Sequence, residues 1–274
     1  MIKITLNDGS VKEFDAGTTV LQVAQSISHG LAKAALAGEV DGKVKDLSYK
    51  LNQDCKLNLL KFEDEGGRLA YRHTTSHVMA QAVKRLYPEA KLAIGPSIED
   101  GFYYDFDVEK PFSIEDLENI EKEMAKIIKE NLELERFTLP RQEAIEFMEK
   151  MGEPYKVELI RDLPEDEEIS FYRQGDFTDL CAGPHLPSTG KIKAYKLLSV
   201  AGAYWRGSEK NKMLQRIYGT SFADRADLDK YLFRIEEAKK RDHRKLGKEL
   251  DLYDILDEGP GFPFFMPKGI VLRN

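Results

Sequence analysis

The sequence predicts the α+β class, in two successive parts, and three observations carry that prediction. Short apolar–polar alternations bounded by Asn- or Asp-Gly pairs fill the first sixty residues. A polar, glycine-containing break, Glu63-Asp64-Glu65-Gly66-Gly67, comes after them. Beyond it, long helical repeats of apolar residues are interspersed with short strand-like runs, the pattern of helices laid against a mostly antiparallel sheet.

The first part runs from residue 1 to 62. Ile2, Ile4 and Leu6 alternate with polar residues, Asn7-Asp8-Gly9-Ser10 turns the chain, and Val11 to Phe14 returns, which is a hairpin signature. Thr18 or Thr19 caps a helix whose Val20, Val23, Ala24 and Ile27 share one face. A strand is predicted over Ala34 to Val40, a turn at Asp41-Gly42, and a further strand over Lys56 to Leu60. Hairpin, helix and returning strands are the order of a small, ubiquitin-like β-grasp domain.

The second part is predicted to span 63–224. Its first helix covers about Leu69 to Leu86, with Leu69, His73, His77, Ala80 and Val83 as inward residues, and Pro88 ends it. Strand-like segments come next at Lys91 to Ile94 and Gly101 to Phe106. A long amphipathic helix runs from Ser113 or Ile114 to about Asn131, with Leu117, Ile120, Met124, Ile127 and Ile128 on one stripe. A shorter helix covers Arg141 to Met151. Strands are expected at Val157 to Ile160, Ile169 to Tyr172, Phe177 to Leu180, Ala194 to Val200 and Met213 to Gly219. A charged linker helix is expected over 225–250. Residues 251–274, with Gly259-Pro260-Gly261-Phe262-Pro263-Phe264-Phe265-Met266-Pro267, are apolar and turn-rich, as expected of the truncated start of a further domain ending at Asn274.

Composition narrows the function classes. At about 150 residues per domain, 274 residues make two domains. No apolar run approaches a membrane span or a signal peptide, and Cys55 and Cys181 make no disulfide framework, so a cytoplasmic location is expected. The net charge of −7 argues against general nucleic-acid binding. A local basic run, Lys239, Lys240, Arg241, Arg244, Lys245 and Lys248, is the exception; by itself it reads as a solvated helix face.

The chemistry is concentrated in two short patterns. His73-Thr74-Thr75-Ser76-His77 places two of the chain's five histidines on one helical face. Cys181-Ala182-Gly183-Pro184-His185 comes after a predicted strand, and Gly183-Pro184 turns His185 back beside Cys181. Two such pairs invite a tetrahedral zinc reading, although the first lacks the Glu of a zinc-protease HExxH.

Together these patterns resemble the editing domain shared by bacterial threonyl-tRNA and alanyl-tRNA synthetases. The threonyl family is singled out by longer strings: Ala93-Ile94-Gly95-Pro96 with Asp100-Gly101-Phe102-Tyr103-Tyr104-Asp105, Ala201 to Gly207, Asn211 to Thr220, and Arg241 to Lys248. The resemblance covers the chain in the family's order: a TGS β-grasp domain, the editing domain, a linker helix and the first residues of a class II catalytic core.

The resemblance implies the N-terminal part of a threonine–tRNA ligase, a class II enzyme of protein biosynthesis. It further implies proofreading of threonine tRNA mischarged with serine, by aminoacyl-tRNA ester hydrolysis. Aminoacylation, with its ATP and zinc sites, would reside in a core beyond Asn274. The alternative is a non-catalytic tRNA- or RNA-binding module. By the resemblance, His73, His77, Lys156, Cys181 and His185 form the catalytic set. His73, a histidine of near-neutral pKa, would be the base or the residue that orients the 2′-hydroxyl; Asp179 would hold the α-amino group of serine. Tyr104 and Tyr172 complete the pocket, and Lys239, Lys240 and Arg244 would contact tRNA. No metal is expected to be required, with zinc on His73, His77, Cys181 and His185 as the alternative that alanyl relatives suggest. A monomer is expected for these residues, and a homodimer for the parent enzyme.

Overall fold

The computed structural model describes residues 1–257, 259 and 261–273. The chain forms two compact units, Met1–Ala223 and Asp224–Asn274.

The first unit begins with β1 (Ile2–Leu6), β2 (Val11–Phe14) and β3 (Thr18–Thr19), succeeded by α1 (Val20–Ile27) and α2 (His29–Ala34). Then come β4 (Ala37–Val40), β5 (Lys43–Lys45), β6 (Lys50–Leu51) and β7 (Cys55–Leu60). The sheet order is β2-β1-β7-β4-β5, with β1 and β7 parallel at its centre and the other pairs antiparallel. This is the β-grasp arrangement that the hairpin–helix–strand order predicts. Thr19 caps α1 in a reciprocal box with Gln22, and Val20, Val23 and Ala24 are buried against the sheet. Ile27, expected on the same face, is exposed. The strand expected from Ala34 begins only at Ala37, because Ser28 caps the short helix α2 through the Leu31 amide.

Next comes α3 (Glu65–Leu86), then β8 (Lys91–Leu92), β9 (Ser97–Ile98), β10 (Gly101–Asp107), α4 (Ile114–Glu130) and β11 (Leu134–Thr138). The unit continues through α5 (Arg141–Met151), α6 (Pro154–Asp162), β12 (Ser170–Gln174), β13 (Phe177–Leu180), β14 (Ala194–Tyr204) and β15 (Met213–Phe222). One antiparallel sheet has the order β14-β15-β10-β8, with β9 also pairing β10; a second has the order β11-β12-β13. The α+β class holds throughout.

Two local expectations are corrected here. Val157 to Ile160 lie in α6, not in a strand: Pro154 starts the helix, and Lys156, Val157 and Ile160 point inward at helical spacing. A four-residue apolar run does not distinguish the two by itself. The second correction concerns α3. Rather than burying one stripe, it is buried on nearly every side from Ala70 to Val83, while Leu69 is only half-buried. It packs against α4, β4, β9, β10 and β15. Its buried hydroxyls are satisfied within the helix: Thr74 and Thr75 donate to the carbonyls of Ala70 and Tyr71, both at 2.9 Å, and Ser76 to that of His73 at 2.8 Å. That is how a Thr-Thr-Ser run tolerates a core position.

The second unit holds α7 (Arg225–Lys240), α8 (His243–Glu249), β16 (Tyr253–Ile255), β17 (Pro263–Phe265) and α9 (Pro267–Arg273). The single helix expected over 225–250 is broken at Arg241-Asp242, where the Asp242 carboxylate caps α8 by accepting from the Arg244 amide at 2.8 Å. In the turn-rich segment β16 and β17 pair antiparallel; Pro260 and Asn274 lie outside the described residues. No described helix is long and apolar enough to cross a membrane.

Candidate active site

The helical spacing of His73 and His77 on α3 puts their rings 5.1 Å apart, edge to face. The turn after β13 brings Cys181 and His185 onto them. The Cys181 Sγ lies 3.3 Å from His73 Nε2 and 3.2 Å from His185 Nε2. The His185 ring is 4.2 Å from that of His73 and 4.3 Å from that of His77. The two sequence patterns therefore close into one cluster, as their chemistry suggests. Gly183 adopts φ +75°, and a Cβ there would overlap the Tyr172 hydroxyl, so glycine is required for the turn to lie flat on β12.

A charged layer lies against the histidines. Asp179 on β13 forms an ion pair with Lys156 on α6 (Oδ1 to Nζ, 2.7 Å), accepts from the Tyr104 hydroxyl at 2.6 Å, and stands 3.6 Å from His77 Nε2. All four side chains are buried. The Lys156 Nζ also lies 5.4 Å from the centre of the Tyr104 ring. Tyr104 is itself fixed from behind, because a Cβ on Gly95 would overlap its ring. A carboxylate presents about four lone-pair positions, so Asp179 retains capacity for one more donor.

Burial sets the protonation states. It pushes His73 down to about 4 and His77 down to about 3, against the opposing pull of Asp179, and takes His185 well below the ordinary histidine range. Burial also pushes the Cys181 thiol up to about 12. Burial would raise Asp179 as well, but Lys156 and His77 outweigh it and hold the carboxyl below its usual range. At neutral pH the cluster is three neutral imidazoles and a thiol beside one lysine–aspartate pair. The near-neutral pKa expected of His73 is thus replaced by a lower one. Such an imidazole accepts hydrogen bonds but is a weak base.

Sequence reasoning missed two contributors. The Thr74 Oγ1 lies 3.1 Å from His185 Nδ1 and accepts from the Leu186 amide at 2.9 Å, while its own hydrogen goes to Ala70. This pattern assigns the His185 hydrogen to Nδ1 and turns the Nε2 lone pair toward Cys181. Asp46, in the loop between β5 and β6, accepts from the Tyr172 hydroxyl at 2.6 Å and from the His185 amide at 2.7 Å. Tyr172 therefore stands behind the turn, its ring 4.3 Å from that of His185. The HxxxH spacing signals nothing about the residue between its histidines, and nothing local marks Asp46.

The four donor atoms of His73, His77, Cys181 and His185 lie within 4.8 Å of one another, and three nitrogens with one sulfur suit zinc. The donor set therefore fits a metal, with Thr74 as the outer partner of His185. The remaining predicted residues lie in the second unit and are exposed. There Lys240 pairs with Glu236 at 3.1 Å and Glu237 at 3.2 Å, and Arg244 with Asp242 at 2.8 Å. Lys239 sits beside Lys240 in the last turn of α7.

Comparison with known proteins agrees with this architecture. The family described as TGS domain matches residues 2–61, and that described as Threonyl and Alanyl tRNA synthetase second additional domain matches residues 169–218. The second match contains Asp179, Cys181 and His185. Along all 274 residues the chain is 78% identical to a threonine--tRNA ligase of Acetivibrio thermocellus, 68% to one of Desulforamulus reducens and 65% to one of Clostridium kluyveri. It spans 43% of the length of each of these relatives.

Proposed function

The chain belongs to the threonine--tRNA ligase family, matching its N-terminal part and carrying an editing-type domain; from that premise we propose that its own chemistry is hydrolysis of the seryl ester on mischarged threonine tRNA. The observation that carries the reading is the cluster of His73, His77, Cys181 and His185, the first and third half-buried and the others buried, with the Lys156–Asp179 pair against it. Joining threonine to tRNA is what the relatives' name describes; we assign these residues the hydrolytic step alone.

The need for such a step comes from size. Serine lacks one methyl group of threonine, and a difference of that scale supports only about 10- to 200-fold discrimination. A second pocket that admits the smaller side chain supplies the rest. Its walls are rigid here, because His77 and His185 are held inside a packed core and do not yield to an extra methyl.

In the proposed reaction a water oxygen bonds to the ester carbonyl carbon, the bond to the ribose oxygen breaks, and the water's proton ends on that oxygen. Neutral His73 accepts a hydrogen bond from the water or the adjacent 2′-hydroxyl and orients it. The Lys156 ammonium stabilises the oxyanion as it develops. Asp179 receives the substrate's α-ammonium group, with Tyr104 fixing the carboxylate. Cys181 remains a thiol and forms part of the wall, since a thiol with a pKa pushed up to about 12 is a poor nucleophile. Hydrolysis by this route requires no metal. Zinc on the four donors would supply Lewis acidity.

Deacylation of seryl- and threonyl-tRNA, both on threonine tRNA, tests the reading. We expect rapid loss of serine alone, abolished by His73→Ala. Stability of both esters with tRNA binding confirmed would instead identify a binding module without hydrolytic activity.

A further inference from the structure

The Asp46 carboxylate, in the β-grasp part of the chain, reaches the hydrolytic site. This residue sits at the start of a loop that is itself anchored. The Leu47 side chain is buried in the β-grasp core, and the carbonyls of Leu47 and Tyr49 accept from the Leu21 and Val20 amides at 2.8 and 3.1 Å, which are otherwise orphan groups at the start of α1. From this fixed base Asp46 accepts from the Tyr172 hydroxyl and the His185 amide. Tyr172 lies under Gly183, and the His185 ring bears on Cys181 and His73. One face of the same contact opens as a cleft of about 550 Å³ whose lining includes Asp46, Glu135, Arg136, Tyr172 and His185. A second tether, Lys191 Nζ donating to the Lys33 carbonyl at 2.9 Å, joins the same two parts away from the cluster.

We propose that Asp46 is a positioning residue of the hydrolytic site: by holding Tyr172 and the His185 amide it fixes the Cys181–His185 turn against α3. The β-grasp module is thereby a structural component of the site. This rests on the hydrolytic reading above and adds to it a role for residues that carry no chemistry of their own. Without the carboxylate, the His185 amide and the Tyr172 hydroxyl lose a shared acceptor, and the turn that bears Cys181 and His185 is freed from one side. The Thr74 contacts remain, so the expected change is misplacement of the turn, not its loss.

The test compares Asp46→Ala, Asp46→Asn and Lys191→Ala in the full chain. For Asp46→Ala, kcat for the seryl ester should fall about ten- to a hundredfold, because small misplacements of oriented groups carry costs of that order. KM should stay within about twofold. Asp46→Asn retains an oxygen for the His185 amide and offers a donor to the Tyr172 oxygen, so it should restore most of the rate. Lys191→Ala, which loosens the same two parts elsewhere, should match the wild type. A readout independent of hydrolysis is alkylation of Cys181 by iodoacetamide, located by peptide mass; it should quicken by about tenfold in Asp46→Ala only, as the half-buried thiol gains access. Equal losses in Asp46→Ala and Lys191→Ala would reduce the effect to general loosening and overturn the proposal, as would an Asp46→Ala protein that matches the wild type in both assays. If the wild type hydrolyses neither ester while Cys181 access still depends on Asp46, the hydrolytic reading falls and the anchoring of the turn stands.

Discussion

Lys156 and Asp179, each almost wholly buried, face one another at 2.7 Å beside three neutral imidazoles. Removing one member of such a pair leaves the other charge in the core without compensation, at a cost of about 3–5 kcal/mol. Lys156→Met should therefore destabilise strongly in urea unfolding, and the double variant Lys156→Met/Asp179→Asn should recover much of the loss. Deacylation by Lys156→Met should fall by about 10²- to 10³-fold, the scale for losing one oxyanion stabiliser. Additive destabilisation in the double variant would show that the two side chains do not depend on one another.

Cys181 separates two chemistries. As a thiol wall it is replaceable, and Cys181→Ser should keep deacylation within about tenfold of the wild type, whereas loss of a covalent nucleophile removes many orders of magnitude. Metal analysis of protein purified without added zinc should find a substoichiometric amount, and activity should survive chelation. Stoichiometric zinc with activity lost in chelator would move His73, His77, Cys181 and His185 into a metal site.

The histidines also set a response to acid. Their folded pKa values lie below the unfolded value near 6.5, so between about 6.5 and 4 the unfolded chain binds more protons. Stability is fully present above pH 6.5 and falls as pH falls. Each histidine contributes a slope of about 1.4 kcal/mol per pH unit across that window. The urea midpoint should drop between pH 7 and pH 5, less steeply in His77→Gln. A midpoint that does not move would contradict neutral burial.

The basic run on α7 and α8 is tested by salt. If Lys239, Lys240 and Arg244 contact tRNA phosphates, replacing all three by alanine should weaken binding and flatten the plot of log K against log salt by about 2–3. The present partners of Lys240 (Glu236 and Glu237) and of Arg244 (Asp242) are exposed or half-buried and hold them weakly. Unchanged affinity and slope would return the run to a solvated face.

Much of the fold was legible because its signals are local. The Asn7 to Ser10 turn, the Thr19 cap and the stripe on α4 each declare an element within a few residues. The cluster was legible because HxxxH and CxxxH each point two donors at one place. What escaped is non-local. The all-round burial of α3 depends on elements from distant parts of the chain, and no periodicity in its own sequence records them. Asp46 acquires its partners more than a hundred residues away. The depressed pKa of His73 is likewise a consequence of burial, which the residue type does not reveal.

The position of α3 has a consequence for how the activity fails. The ends of α3 are exposed, but its middle is enclosed from Ala70 to Val83, so the opening free energy of that middle approaches that of the whole unit. Its two histidines then persist in place until the surrounding core gives way. Under heat or denaturant, the proposed ester hydrolysis should decline in step with the folded population and show no loosened, error-prone intermediate. On the hydrolytic reading proposed above, fidelity would be quantised: each molecule either checks its substrate or is no longer folded.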